Sequence, residues 1–420
     1  MSDTQPQNAI IVGGGAAGLY CAFQLAKGGV AVTVFERNPL FGKKLRITGK
    51  GRCNMTNDCT PQEFLDNIYR GKKSLRSAIY GHTPQDVMAE FESIGVPVKV
   101  ERGNRVFPMS ENAHDVAARL ENVCRRLGAE LVSERVTEII LDDTGTAVGV
   151  VAAGTEHRAG AVVIATGGLS YPKTGSTGDG YRFAQRAGLA VTEKSPSLVP
   201  LLSDEPCCPA LQGLSLKNVR LTVTDDEGRE KYSGFGEMLF TDRGISGPLI
   251  LTASAQLDFS AKACYNASID LKPAVTEAEL DARLLAMLAS AQNKDVVNAL
   301  HGLLPASLLP ELLDKAGIDG RLKANSLTKD ARKSIIRTLK GFSVAISGPA
   351  PIDEAVITRG GVDMSEISSS TMQSKKVPGL YFIGEVLDLD GKTGGFNLQI
   401  AWSTAFLAAK AVTASLLEIQ

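Results

Sequence analysis

NAIIVGGGAAGLYCAFQLAKGGVAVTVFE, residues 8–36, decides the fold. Ala9 to Val12 is an apolar run of strand length. Gly13-Gly14-Gly15-Ala16-Ala17-Gly18 follows at once and opens a helical pattern. Gly13 permits the turn, Gly15 lets the backbone approach a pyrophosphate, and Gly18 lets helix and strand pack closely. The unpaired N–H groups at the start of the helix suit the phosphates. A second apolar strand then ends at Glu36. A carboxylate there takes the hydroxyls of an adenosine ribose that carries no 2′-phosphate. The unit reads as βαβ and dinucleotide-binding.

The rest of the chain bounds the setting. It has 420 residues, 44% hydrophobic and 22% charged, with a net charge of −1. That suits an ordinary globular protein of two or three domains rather than a fibre or a disordered chain. A dedicated nucleic-acid binder is usually far more basic. The charge is uneven, however. Residues 37–76 hold ten Lys/Arg against three Asp/Glu, and residues 320–340 hold seven against one. These are either solvated faces or the marks of an anionic partner. Seven scattered cysteines show no Cys-x-x-Cys or Cys/His spacing, so no metal is expected. Cys207-Cys208 reads as two ordinary thiols, because neighbouring cysteines form strained disulfides. The start, MSDTQPQNAI, is polar, and no apolar run of about 18 residues stands out. A reduced, cytoplasmic protein without a membrane span is the expectation.

The fold class expected is α/β, a Rossmann-type domain assembled from both chain ends, residues 1–190 and 346–420. Prolines cluster in EKSPSLVPLLSDEPCCPALQG, a plausible crossing into another domain. A β-rich insert is expected over 191–275 and a helical subdomain over 276–345. Thr276 followed by Glu279 reads as a capping box.

NAD needs nothing more from the far end of the chain, whereas FAD carries a second half that must be held elsewhere. Two later segments suit that task. VVIATGG, residues 162–168, brings an apolar strand through Ala165 and Thr166 into the turn at Gly167. GLYFIGEVLDLDGKTGGFNLQIAWSTA, residues 379–405, sets Gly384 and Glu385 after a strand and glycines before a helix. Glu385 would accept from ribityl hydroxyls. The start of the last helix would favour negative charge on a reduced flavin.

Those segments, with GKKLRITGKGRCNMTN (42–57), VVIATGGLSYPKTGSTGDGY (162–181) and the run from Thr358 to Phe406, resemble a bacterial family of single-Rossmann FAD flavoproteins. Its members are described as aminoacetone-oxidase-like or bile-acid dehydro-reductase-like. The resemblance spans about residues 9–410 and is loose in the insert. It implies an FAD domain of glutathione-reductase type with an inserted β-barrel and a helical cap. It also implies that Gly13, Gly15, Ala17 and Gly18, with Ala16 between them, line the pyrophosphate. Glu36 would bind the adenosine ribose with Arg37 and Lys44 beside it, and Val136 would meet adenine through its backbone. Thr166 and Gly167, after Ala165, would close the cofactor loop. Arg52, Cys53 and Asn54 would approach the flavin. Gly384 and Glu385 would hold the ribityl phosphate region, and Gly395, Phe396, Asn397 and Leu398 the isoalloxazine. Lys50 stands between Gly49 and Gly51 where similar sequences often have a third glycine, which leaves the path of that loop open.

The function expected is an FAD-dependent oxidoreductase passing hydride from NAD(P)H, docked transiently, to a polarised C=C or related acceptor. The alternatives are an amine oxidase using O₂, a ribosomal-RNA uridine reductase and a flavin-bound redox-sensing module. Only the basic segments 37–76 and 320–340 speak for RNA; otherwise the expected partner is a small-molecule substrate. Cys53 between Arg52 and Asn54 is a candidate proton donor of depressed pKa, or else a buried packing residue. Asp242 and Arg243 in FTDRGISGP, which resembles a family motif, would face the open side of the flavin or simply make a turn.

Overall fold

The computed structural model describes residues 7–260 and 264–417. They form two units with separate cores. One holds the described residues up to Ser197 with those from Ile352 onward, and the other is Leu198–Pro351.

The first unit is built on one parallel sheet. Its strands are Asn8–Val12 (β1), Ala31–Phe35 (β2), Glu130–Val132 (β3), Ala161–Ile164 (β4) and Leu380–Phe382 (β5). The order is β5-β4-β1-β2-β3, every pairing parallel. β4 is buried throughout, as its unbroken apolar run requires of a strand covered on both faces. From β1 the chain turns to β2 on one side, while β4 pairs on the other. The carboxyl ends of β1 and β4 therefore flank a topological switch point, where open α/β sheets take ligands. β5 brings the distal part of the chain to the β4 edge.

Five helices matter for the site: Ala16–Lys27 (α1), Lys72–Gly81 (α2), Ala113–Arg126 (α3), Asp179–Arg186 (α4) and Phe396–Leu417 (α5). α3 begins at Asn112, whose side chain accepts from His114 N, and ends on Arg125 and Arg126, as cap and macrodipole favour. α5 corrects one expectation. It has 22 residues and a window of mean hydropathy 1.4, long and apolar enough by length and composition to cross a membrane. Its scattered Ser, Thr and Gln conceal this in the sequence. Here it is largely a core helix: Trp402 is fully buried and donates to Met55 O at 2.9 Å.

The second unit has a seven-stranded antiparallel sheet. Its two edge strands, Phe342–Ile346 and Gly348–Pro349, are separated only by Ser347. The sheet must therefore curl round until its edges meet, as a barrel does. Helices Glu277–Ser290, Leu308–Lys315 and Lys329–Lys340 share its core, with Leu284, Leu312 and Ile335 in the same cluster as Val223 and Phe342. The barrel strands and the helices, the two parts of the insert expected over 191–275 and 276–345, pack as one unit from 198 to 351. The reason is that the helices bury their apolar faces on the strands.

Candidate functional site

The site begins where β1 ends. Gly13 has φ +110°, and a Cβ there would stand 2.5 Å from Ala165 O. A Cβ on Gly18 would stand 1.8 Å from Gly13 O. Both glycines are required by the protein's packing on itself. Gly15 differs, since a Cβ there meets nothing within 4 Å. It caps α1 with no side-chain hydrogen bond. The start of α1 at Gly15 thus faces open space without a side-chain acceptor, which fits a pyrophosphate.

Glu36 follows β2. Its Oε2 accepts from Gly14 N at 2.9 Å, and its Oε1 accepts from Asn38 N at 2.9 Å and Asn38 Nδ2 at 2.7 Å. A carboxylate offers roughly four acceptor positions, so about one remains for a ribose hydroxyl. Asn38 was not singled out from sequence; an Asn two residues after the acid was the available signal. Arg37 lies 3.6 Å from Asp179, the first residue of α4. Asp179 also receives Arg135 through two bonds of 3.0 Å. Burial pushes its carboxyl up, but Arg135 and Arg182 outweigh that and hold it below its ordinary value. Next to Arg135, Val136 is buried at the start of a strand paired with Ala152.

Ala165 N donates to Val12 O at 2.8 Å, continuing the β4–β1 ladder into the turn. Thr166 Oγ1 is buried without a hydrogen-bond partner. Such an orphan asks for a group beyond the protein, and beside a phosphate turn an FAD fits that need. Gly167 follows with φ +71°.

The far end of the chain closes onto the same turn. A Cβ on Gly384 would stand 2.8 Å from Ala17 Cβ, and Gly384 N donates to Thr404 Oγ1 at 3.0 Å. Glu385 accepts from Lys44 Nζ at 2.7 Å, Ser170 Oγ at 3.0 Å and Thr358 N at 3.0 Å. The carboxylate that the sequence assigned to cofactor hydroxyls is here a fastener between four chain segments. Lys44 reaches Glu385 and Ser170.

The loop after Lys44 runs to the start of α5. Gly49, Lys50 and Cys53 have φ of 57°, 58° and 61°. Lys50 therefore takes the left-handed conformation that glycine favours, at a cost of roughly 1–2 kcal/mol. Arg52 pairs with Glu101 at 2.5 Å and Glu111 at 3.1 Å and lies 4.2 Å from the Phe107 ring centroid. With its amide turned to satisfy its neighbours, Asn54 accepts from Gly395 N at 3.2 Å and donates to Thr56 O at 3.1 Å. A Cβ on Gly395 would stand 2.2 Å from Thr56 O. Phe396 packs on Phe64 with centroids 5.0 Å apart, Leu398 is half-buried, and Asn397 clasps Gly391 N and O at 2.9 Å each. Asn54 and Gly395, from two of the segments expected at the flavin, therefore meet.

Cys53 does not have the expected environment. It is fully buried, and burial pushes its thiol up to about 12, against the depressed value expected of a proton donor. Asp242 and Arg243 belong to the second unit, where they line a cleft of about 360 Å³ with Ser203, Glu205 and Ser347. All seven cysteines are free thiols. Among the described residues no three His, Cys, Asp or Glu converge as a metal site.

Two chain ends converge on one switch point, and the protein is an FAD-dependent oxidoreductase. Residues 7–411 match the HI0933-like protein Rossmann domain, and the chain belongs to that family. It is 32% identical over 416 residues to the ribosomal RNA dihydrouridine synthase of Haemophilus influenzae, covering 98% of this chain and 99% of that one. It is 30% identical over 419 residues to the 3-dehydro-bile acid delta(4,6)-reductase of Clostridium scindens, covering 96% and 98%. The fold is shared with the 3-ketosteroid delta1-dehydrogenase of Sterolibacterium denitrificans, at a TM-score of 0.53 and 14% identity over 98% of this chain and 100% of that one. The 3-ketosteroid-delta4-(5alpha)-dehydrogenase of Rhodococcus jostii gives 0.51 and 18% over 97% and 98%.

Proposed function

We propose that the protein reduces a carbon–carbon double bond conjugated to a carbonyl, with NAD(P)H as hydride donor and a uracil base in RNA as acceptor. The observation that carries this reading is the meeting of Asn54 with Gly395 at the start of α5. Helix α5 has no acidic residue in its first turn, so its N-terminus favours negative charge beside it. FAD, when bound, supplies two-electron chemistry, taking hydride from a nicotinamide and delivering it to the acceptor. Hydride would add to the carbon β to the carbonyl and a proton to the α carbon, saturating the bond. Cys53, buried and held as the neutral thiol, is not assigned the proton; solvent is the simpler source.

The names of two full-length relatives support the bond type. A dihydrouridine synthase saturates a uracil ring, and a delta(4,6)-reductase saturates a steroid ring system. RNA is favoured as acceptor by exposed cations near the start of α5, Arg70, Lys73, Arg76 and Lys392, which make no ion pair among the described residues. Nicotinamides and RNA are both cytoplasmic, which is where the reaction is expected.

The test is anaerobic. The FAD-loaded protein is mixed with NADH or NADPH, and the reduced form is then offered unmodified ribosomal RNA or a 3-keto-Δ4,6 steroid. Bleaching by one nicotinamide and recovery with RNA is the expected result. Bleaching by aminoacetone but by neither nicotinamide would overturn the reading.

A further inference from the structure

We infer that Arg70, Lys73, Arg76, Tyr80 and Lys392 form the surface that receives the RNA strand carrying the target uracil; the inference rests on the reading of the acceptor above. Helix α2 is two-faced. Leu75, Ala78 and Ile79 are buried, while Lys73, Arg76 and Tyr80, at spacings i, i+3 and i+7, are exposed on the opposite side. Lys72 is neutralised by Asp66 at 2.5 Å. Arg70, Lys73, Arg76 and Lys392 have no such partner among the described residues.

The stability of the fold does not account for this arrangement. The first turn of α2 contains Lys72 and Lys73 and no acid, the reverse of what the macrodipole favours. Tyr80 is 48% exposed, and the Arg76 guanidinium lies 5.2 Å from its ring centroid. A large ring left in water beside a cation is the element on which unpaired bases stack. From Lys73 to Tyr80 the helix rises about 10 Å. A row of cations ending on a ring over that span matches a strand of phosphates with an unstacked base. An acidic peptide would supply the charge but no base for the ring.

The surface also adjoins the site. A Cβ on Gly71, which opens α2, would stand 2.1 Å from Leu389 Cδ2 and 3.1 Å from Asp388 O. The backbones of Arg70 and Asp390 stand opposite each other in a short antiparallel bridge, and Lys392 N donates to Asn67 O at 2.9 Å. Three residues beyond Lys392 lies Gly395, which meets Asn54. A strand held on α2 therefore passes beside the loop that leads into the flavin end. In the other basic segment, the helix Lys329–Lys340, Arg332 pairs with Asp281 and Lys340 with Asp270, while Lys329, Lys333 and Arg337 are exposed without an ion pair among the described residues; that helix differs in carrying no aromatic ring for a base.

The test measures binding of a labelled oligouridylate of about 12 nucleotides to the full-length, FAD-loaded protein over a range of salt. For Lys73→Ala/Arg76→Ala, affinity should fall and the slope of log affinity against log salt should flatten by about 1.4, the value for two phosphate contacts on a single strand. For Tyr80→Ala, a loss of about 5- to 150-fold is expected with the slope unchanged, and Tyr80→Phe should restore binding. Retained flavin absorbance shows that each variant is folded. Parent-like binding by the α2 variants, or weakening only in Lys329→Ala/Lys333→Ala/Arg337→Ala, overturns the surface. The two readings fail separately. If oligouridylate binding maps to α2 but its uracil is never reduced, the acceptor reading falls and the surface stands. If oligouridylate reoxidises the reduced flavin equally well in the parent and the α2 variants, the surface falls and the acceptor reading stands.

Discussion

Gly13 and Gly15 sit in one turn for different reasons. Gly13 is pressed against Ala165 O, whereas Gly15 faces nothing within 4 Å. Gly15→Ala should therefore leave unfolding free energy within about 1 kcal/mol of the parent while weakening FAD binding at least about tenfold, because the methyl group enters the space where the pyrophosphate approaches. Calorimetry of the apoprotein and a fluorescence titration with FAD separate the two effects. If Gly15→Ala binds FAD as the parent does, the phosphate loop is wrongly assigned. For Cys53, the buried thiol pushed up to about 12 stays protonated from pH 6 to 9 and contributes no inflection there. Cys53→Ser should keep the pH profile of turnover; a lost or shifted limb would restore the thiol as a proton donor. The sequence showed these positions but not their surroundings. Arg52 beside Cys53 suggested a depressed thiol, yet Arg52 is turned toward Glu101, Glu111 and Phe107, and those partners lie some 50 residues along the chain.

At the scale of elements, periodicity and caps were the readable signals. The Thr276–Glu279 capping box is present, with Thr276 Oγ1 accepting from Glu279 N. The apolar strands before Gly13 and Ala165 lie within one residue of where the patterning puts them. Long-range fasteners were not readable, because nothing local marks them. Lys44, Ser170, Thr358 and Glu385 come from four segments and meet at one carboxylate. Its half-buried pair with Lys44 implies that Lys44→Met, which leaves Glu385 short of a cation, lowers stability by about 1–3 kcal/mol. The double variant Lys44→Met/Glu385→Gln should recover part of that loss in urea denaturation. Additive losses would show that the two side chains act independently.

For the whole molecule, both ends of the chain build one unit, and the stretch between them in sequence forms a second unit with its own core. The sequence revealed this because chemistry-bearing motifs near residues 13, 166 and 384 bracket a stretch of different texture. It did not reveal that the barrel and its helices share a core, since amphipathic helices look alike whichever surface they cover. The buried thiols set one global property. Cys53, Cys59 and Cys124 are each pushed by burial from an ordinary value near 9 up to about 12. Their folded-state values are raised, so the stability they contribute is complete below about pH 9. It is lost as pH rises from there toward 12, where the unfolded chain ionises first. Denaturation midpoints at pH 7 and pH 10.5 should show that loss; an unchanged midpoint would mean that these thiols are not held neutral. The most direct test of the central claim is anaerobic titration of the FAD-loaded protein with NADPH and NADH, followed by unmodified ribosomal RNA. Bleaching of the flavin by a nicotinamide and its return with RNA, with dihydrouridine formed in step, is the predicted result. A flavin that no nicotinamide reduces, or a reduced flavin that RNA leaves bleached, would contradict it.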